Sequence, residues 1–365
     1  MGRTYSNSEI LFLMIGSTIG YSLISIPKVV AEYSGTGGWF SLLLATIITM
    51  GINYINIHLA YCNESKTLPE YSKKLLGKKI YVIIMIIYIV HFFLIATYDL
   101  RITSEIMKAN VLLRTPCWVL TLVFAITVGY ALMKGFKTIL LVSQIYGIII
   151  ILTFIITHIF ISTEGSVLNV VPIFDAHSVG NYIKGIFSSS ILFSLSGSEC
   201  ISYIALNKRK NKKIHIQAIF ITALIGFIYI LVFESCISVM GVQDIVFYED
   251  SVISTIRRVE LPYLQFLRRL DGVFIVNWLT GAFTTAMFYL YGVVYFFQNI
   301  TKNKITKNKI IFGVVIIAWL TSGFPKKSYL LPQVNKYISY FSIIAYIIIP
   351  VILLFLTKVN KNEKI

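Results

Sequence analysis

The chain has 365 residues, 57% of them hydrophobic and 13% charged, which is about half the roughly 25% charged content of a soluble domain. So few charged side chains cannot cover a water-facing surface of this length, and lipid is the expected solvent for much of it. A formal net charge of +16 would suggest nucleic acid in a soluble protein. Here Lys and Arg gather in short loops between apolar runs, the pattern that orients a membrane protein, so no nucleic-acid partner is expected.

A hydrocarbon core ~30 Å thick needs about 20 apolar residues in helix. Ten segments approach this, at about 9–30, 38–61, 80–107, 116–133, 138–161, 183–204, 214–240, 270–298, 308–324 and 338–357. The sequence therefore predicts an all-α membrane protein, one transmembrane domain over residues 1–365. Segments on the N-terminal side of the bilayer carry about twice the Lys and Arg of the other side, which places both termini in the cytoplasm. Cys62, Cys117, Cys200 and Cys236 form no C-x-x-C pair, so neither a disulfide framework nor a metal site follows, and no cofactor is expected.

Span one reads Gly16-Ser17-Thr18-Ile19-Gly20-Tyr21-Ser22 near its middle and ends at Pro27. An unwound turn there would leave backbone groups bare in lipid, which is tolerated only against protein or a polar cavity. Gly16-x-x-x-Gly20 is also a helix-packing pattern. In span three Tyr98, Asp99, Arg101, Glu105 and Lys108 fall near the outer boundary. Arg101, Glu105 and Lys108 share a helical face, as either an outer vestibule or gate, or a structural ion pair. His91, His158 and Glu234 stand isolated in their spans and read as satisfied buried or interfacial groups.

Span six carries Ser194-Leu195-Ser196-Gly197-Ser198-Glu199, a second candidate break. Glu199 could meet a substrate ammonium, take up a proton, or cap a following half-helix through backbone amides. The outer connection at about 241–269 alternates apolar and basic residues around Pro262, which suits a helix at the membrane interface or a lid. In span eight Gly281, Thr285 and Tyr289 make one small-to-polar stripe, for a solute wall or a packing seam.

Ten spans divide into two fives, about 9–161 and 183–357, and an odd-numbered unit inserted twice takes opposite topologies. The breaks then fall at matching places, in spans one and six, and broken helices at matching places of a five-plus-five inverted repeat point to a central binding site. No zinc-protease, phosphate-loop or nucleophile-elbow motif occurs, which gives no support to an enzyme.

Taken together, these stretches resemble the B subunits of bacterial spore germinant receptors, the spore-permease branch of the amino acid–polyamine–organocation transporters. The likeness rests on Ser8-Glu9-Ile10 before the Gly-broken span ending Ile24-Ser25-Ile26-Pro27, a loop at Leu68-Pro69-Glu70-Tyr71, Arg101, and Ser196-Gly197-Ser198-Glu199. Its closest part is Glu260-Leu261-Pro262 through Phe266-Leu267-Arg268-Arg269-Leu270-Asp271 to Trp278. The double Arg268-Arg269 departs from the family pattern, in which an acidic residue commonly precedes Arg.

The resemblance implies ten helices in the inverted repeat and residence in the spore inner membrane. It also implies an A-type membrane subunit and a C-type lipoprotein as partners. A nutrient such as an amino acid would bind between spans one, three, six and eight. The matching positions are Gly16, Ser17, Thr18, Ile19 and Gly20; Tyr98, Asp99 and Arg101; Gly197, Ser198 and Glu199; and Thr285 with Tyr289. A proton- or sodium-coupled transporter for an amino acid or amine is the alternative expectation.

Overall fold

The computed structural model describes residues 5–20, 22–174, 179–187, 189–259 and 270–362. Helices α1 (Asn7–Thr18) and α2 (Ser22–Ser34) make the first apolar segment, interrupted between them. The start of α1 is fixed by a capping box, in which the Glu9 amide donates to Ser6 Oγ at 3.3 Å and the Ser6 amide to Glu9 Oε2 at 2.9 Å, so that two otherwise orphaned donors are satisfied. Helix α3 (Gly38–Cys62) follows a short 3₁₀ turn. A Cβ on Gly38 would collide with Val30 and Phe233, so glycine is what lets α3 start so close to α2.

Helix α4 (Leu68–Asn110) begins earlier than the sequence suggested. Leu68-Pro69-Glu70-Tyr71, expected as a loop, are its first turn, because the Thr67 amide donates to Glu70 Oε2 at 2.7 Å and Pro69 sits where a helix tolerates a missing N–H. At Gly77 the backbone turns to φ +77°, ψ 176°, which separates this leading piece from the long span. Helices α5 (Cys117–Lys134) and α6 (Phe136–Thr163) are joined at Gly135, φ +95°. Both are studded with exposed apolar side chains, among them Val123, Ile126, Tyr130 and Met133 on α5, and Ile145, Ile148, Leu152 and Ile156 on α6. Lipid is the solvent such a surface requires.

Helices α7 (Val179–Phe187) and α8 (Ser189–Ser194) lead to a 3₁₀ turn at Ser198–Tyr203. No α-helical second half follows this break, contrary to the half-helix expected from sequence. Then come α9 (Ile214–Met240), α10 (Val242–Ile245), α11 (Ser251–Arg258), α12 (Leu270–Ile300), α13 (Lys307–Ser322), α14 (Leu331–Ile343), a π-turn at Ile344–Ile348, and α15 (Ile349–Asn362). Pro350 lacks the N–H that would reach the Tyr346 carbonyl. That carbonyl instead accepts from Asn56 Nδ2 at 3.2 Å, so the distortion ties the last span to α3.

Seven helical stretches of the described residues are long and apolar enough to cross a membrane. Helix α12 is the hub: 72% of its apolar window is buried, against 28% for α5. It packs against α4 along its length and against α1 and α6. Helix α11 buries Val252, Ile253 and Ile256 against α2, α9 and α12, so its apolar face covers protein and not lipid. Its Arg257 and Arg258 reach Asp271 and Asp244, at 3.4 and 2.9 Å. The expected interfacial helix beyond it, with Pro262 and Arg268-Arg269, lies outside the described residues, as do Tyr21, Asp175 and Ser188.

Helices α3 and α9 meet where a Cβ on Gly226 would strike the Thr46 side chain. Gly226→Ala should destabilise the fold by about 1–3 kcal/mol through overpacking. Adding Thr46→Gly should recover part of that loss, as read by thermal unfolding of the detergent-solubilised protein.

Candidate functional site

The two interruptions face each other. A Cβ on Gly197, which has φ +154°, would lie 2.8 Å from Ser17 Oγ and 3.1 Å from the Ser17 carbonyl carbon, and would also strike Thr18. Both the left-handed backbone and the close approach thus require glycine at the second break. Ser17 Oγ stands 3.0 Å from the Gly197 carbonyl and 2.8 Å from that of Leu13. At the first break the Ile19 carbonyl lies only 2.8 Å from the place a Cβ on Gly281 would occupy, so α12 runs directly against the unwound turn.

Peptide oxygens released by the breaks are met by side chains. Gly16 O accepts from Thr285 Oγ1 at 2.8 Å and from Thr284 Oγ1 at 3.2 Å, and Gly20 O accepts from Trp278 Nε1 at 3.2 Å. The Tyr229 phenol donates to Ser194 O at 3.0 Å and stands 3.2 Å from Ser22 Oγ, which joins the two breaks through α9. Glu199 holds the second break from within. Its Oε2 accepts the Gly197 amide at 2.9 Å, and its Oε1 accepts from Tyr289 at 2.8 Å and stands 3.4 Å from His91 Nε2. The amide it binds precedes it in the chain, so it is not the cap of a following half-helix.

Between the breaks lies a cavity of about 20 Å³, room for roughly one water. Nine of its lining residues carry hydroxyls: Ser17, Thr18, Ser22, Ser194, Ser196, Thr285, Tyr289, Ser339 and Ser342. Gly20, Ile95 and Ile338 complete the wall. A second hollow of about 390 Å³ lies beyond it, lined among others by Ser25, Tyr98, Glu105, Glu249, Asp250 and Asn335. Three helices contribute to both at three-residue offsets: Ser22 and Ser25 on α2, Ile95 and Tyr98 on α4, Ile338 and Asn335 on α14. Three residues of helix rise about 4.5 Å, so the partition between the hollows is one turn thick.

Of the residues expected at the site, Ser17, Thr18, Gly20, Thr285 and Tyr289 line the small cavity. Gly16, Ile19, Gly197 and Glu199 support it from behind. Ser198 is buried beside them, its hydroxyl without a hydrogen-bond partner. Tyr98 belongs to the outer hollow. Arg101 reaches neither; its Nε donates to Glu105 Oε1 at 2.9 Å and its terminal nitrogen to Ser322 O at 3.0 Å, the structural pair among the two readings. Asp99 is fully buried, with one oxygen 3.4 Å from Thr103 Oγ1 and the other without a hydrogen-bond partner among the described residues.

His91, Tyr229, Trp278 and Ser342 were missed as supports of the site. Ser339 and Ser342, polar and i, i+3 in an apolar span, are the one sequence signal that could have drawn attention to α14. Tyr229→Phe removes the hydroxyl bridging both breaks and leaves Ser194 O bare. It should cost about 1–3 kcal/mol, as a lower unfolding midpoint in detergent.

Known proteins agree with this architecture. The spore germination protein YndE of Bacillus subtilis (strain 168) is 21% identical over 359 residues, covering 98% of this chain and 97% of its own. Spore germination protein A2 of the same organism is 25% identical, covering 96% and 94%. Among solved structures, MhsT in complex with L-phenylalanine superposes with a TM-score of 0.69 at 13% identity, over 98% of this chain and 99% of that one. Mhp1, a nucleobase-cation-symport-1 family transporter in a closed conformation, gives 0.68 at 9% identity, over 96% and 78%. At such identities these two share a transporter fold with this chain and nothing finer. The family model described as "Spore germination protein" matches residues 4–329. This multi-pass, all-helical membrane protein belongs to the spore-permease family of spore germination proteins.

Proposed function

We propose that this chain is the nutrient-sensing B-type subunit of a spore germinant receptor and binds a small molecule such as an amino acid between its two broken spans. The observation that carries this reading is the hydroxyl-lined cavity between the breaks, with the larger hollow one turn beyond it. At about 20 Å³ the cavity belongs to a closed conformation, and a nutrient would favour one in which the partition between the hollows is parted. Differential affinity for the two states is then the signal. The site consists of Gly16 to Gly20, Tyr98, Asp99, Arg101, Gly197 to Glu199, Thr285 and Tyr289, with Tyr98 in the outer hollow and Arg101 bracing α4 against α13.

The same reading places ten spans in two inverted fives, about 9–161 and 183–357, in the spore inner membrane with both termini cytoplasmic. An A-type membrane subunit and a C-type lipoprotein are its partners. The relatives named spore germination protein over nearly the full chain support that assembly.

Coupled transport of the same solute is the second reading, and one specific feature favours it. Hydroxyls of Thr284 and Thr285 lie against Gly16 O, and Thr284 also against Gly281 O at 2.8 Å. Such uncharged oxygens suit a hard cation. Net, turnover-level uptake by proteoliposomes would decide for transport.

Spores lacking this gene should lose germination toward a subset of nutrients in an amino-acid panel, while unrelated triggers still work. Loss of no response would end the receptor reading. Gly197→Ala, strained by about 1–3 kcal/mol at its left-handed position, should shift the nutrient dose response upward roughly tenfold with the protein still inserted in the membrane.

A further inference from the structure

His91 and Glu199 form a buried pair whose hydrogen-bond directions fix its proton content. His91 is fully buried and Glu199 is 1% exposed. Nδ1 of His91 lies 3.3 Å from Ser342 Oγ, and the Ser342 hydroxyl donates its only proton to the Ile338 carbonyl at 2.9 Å. Ser342 Oγ is therefore left to accept, and Nδ1 carries a hydrogen. Nε2 faces Glu199 Oε1, which already accepts from Tyr289. A bare Nε2 there would set two lone pairs against each other at 3.4 Å in a site without water. A hydrogen must lie between them, on the ring or on the carboxyl.

Charge balance points the same way. Tyr88, Tyr346, Cys200 and Tyr203 are the other titratable side chains close enough to feel the Glu199 charge. With Tyr289, all are neutral when protonated and none can balance a carboxylate. No Lys or Arg among the described residues pairs with it. An ionised Glu199 beside a neutral ring would leave an uncompensated charge deep in the bundle, which is expensive. One proton more makes the pair neutral.

We propose that His91 and Glu199 together form a binding site for one proton, placed so that holding the span-six break closed and holding the proton are the same event. Glu199 bonds the Gly197 amide with its other oxygen. The pair also draws in α4 through His91, α12 through Tyr289 and α14 through Ser342. Any motion that parts these elements removes a partner of the proton, so proton binding and the closed arrangement stabilise each other. This deepens the reading of the same pocket and rests on it only for the cavity's role.

The test needs no nutrient, so its failure is separable from failure of that reading. Protein in liposomes, with ¹⁵N-histidine and ¹³C-glutamate, is measured by solid-state NMR at neutral pH. His91 is assigned by difference from His91→Gln or, if that variant does not fold, by transfer from the neighbouring glutamate carboxyl carbon. The expected result is a fully protonated ring beside a carboxylate, or one bare nitrogen beside a carboxylic acid. In Glu199→Gln the ring should retain a single N–H. A bare nitrogen beside an ionised carboxylate in the native protein, or a doubly protonated ring in the variant, would overturn the proposal. The linkage has its own measurement. The native protein should lose its melting-temperature advantage over Glu199→Gln as pH is raised, because the closed state gives up the proton. An advantage independent of pH would refute the coupling.

Discussion

A peptide group inside a bilayer must find a hydrogen-bond partner within the protein, and the rest of this structure is arranged around two places where a helix stops supplying one. At each break the chain gives up helical bonds in mid-span, and side chains from distant elements make good the loss: Thr285 and Trp278 from α12, Tyr229 from α9, Ser17 from α1. This explains why α12 and α9 are so deeply embedded, and why α12 carries the polar residues Asn277, Thr284, Thr285 and Tyr289 in an otherwise apolar helix. Polar atoms there complete the backbone of other helices.

The same economy of partners explains how small the space between the breaks is. When each released carbonyl is met by a protein donor, the two interruptions can approach until only glycine fits, as at Gly197 against Ser17 and Thr18, and Gly281 against Ile19. The closed cavity and the satisfied backbone are one fact seen twice. Widening the cavity exchanges some of these internal partners for those of a guest.

Much of this was legible from residue types. Paucity of charge gave the membrane, and the Gly- and Ser-rich stretches at 16–20 and 194–199 gave both breaks. What stayed hidden were partners remote in sequence: His91 meets Glu199 across 108 residues and Ser342 across 251, and Tyr229 reaches Ser22 across 207. No spacing rule reaches so far. The start of α4 was hidden differently, since Thr67-x-x-Glu70 is a readable helix start, but Gly77 and the surrounding lysines made the stretch look like a loop. In span six, the bond from Glu199 back to Gly197 offers the backbone a local alternative to helix, and the chain continues as a 3₁₀ turn.

The wall of serines and threonines around the small cavity has a chemical corollary. A hydroxyl can turn either its proton or a lone pair toward a neighbour, so nine such groups present no preset polarity. Rotation alone lets the same atoms solvate a negative end of a guest on one side and a positive end on the other. A chamber walled this way is amphoteric: it asks of its occupant only that the two ends cancel.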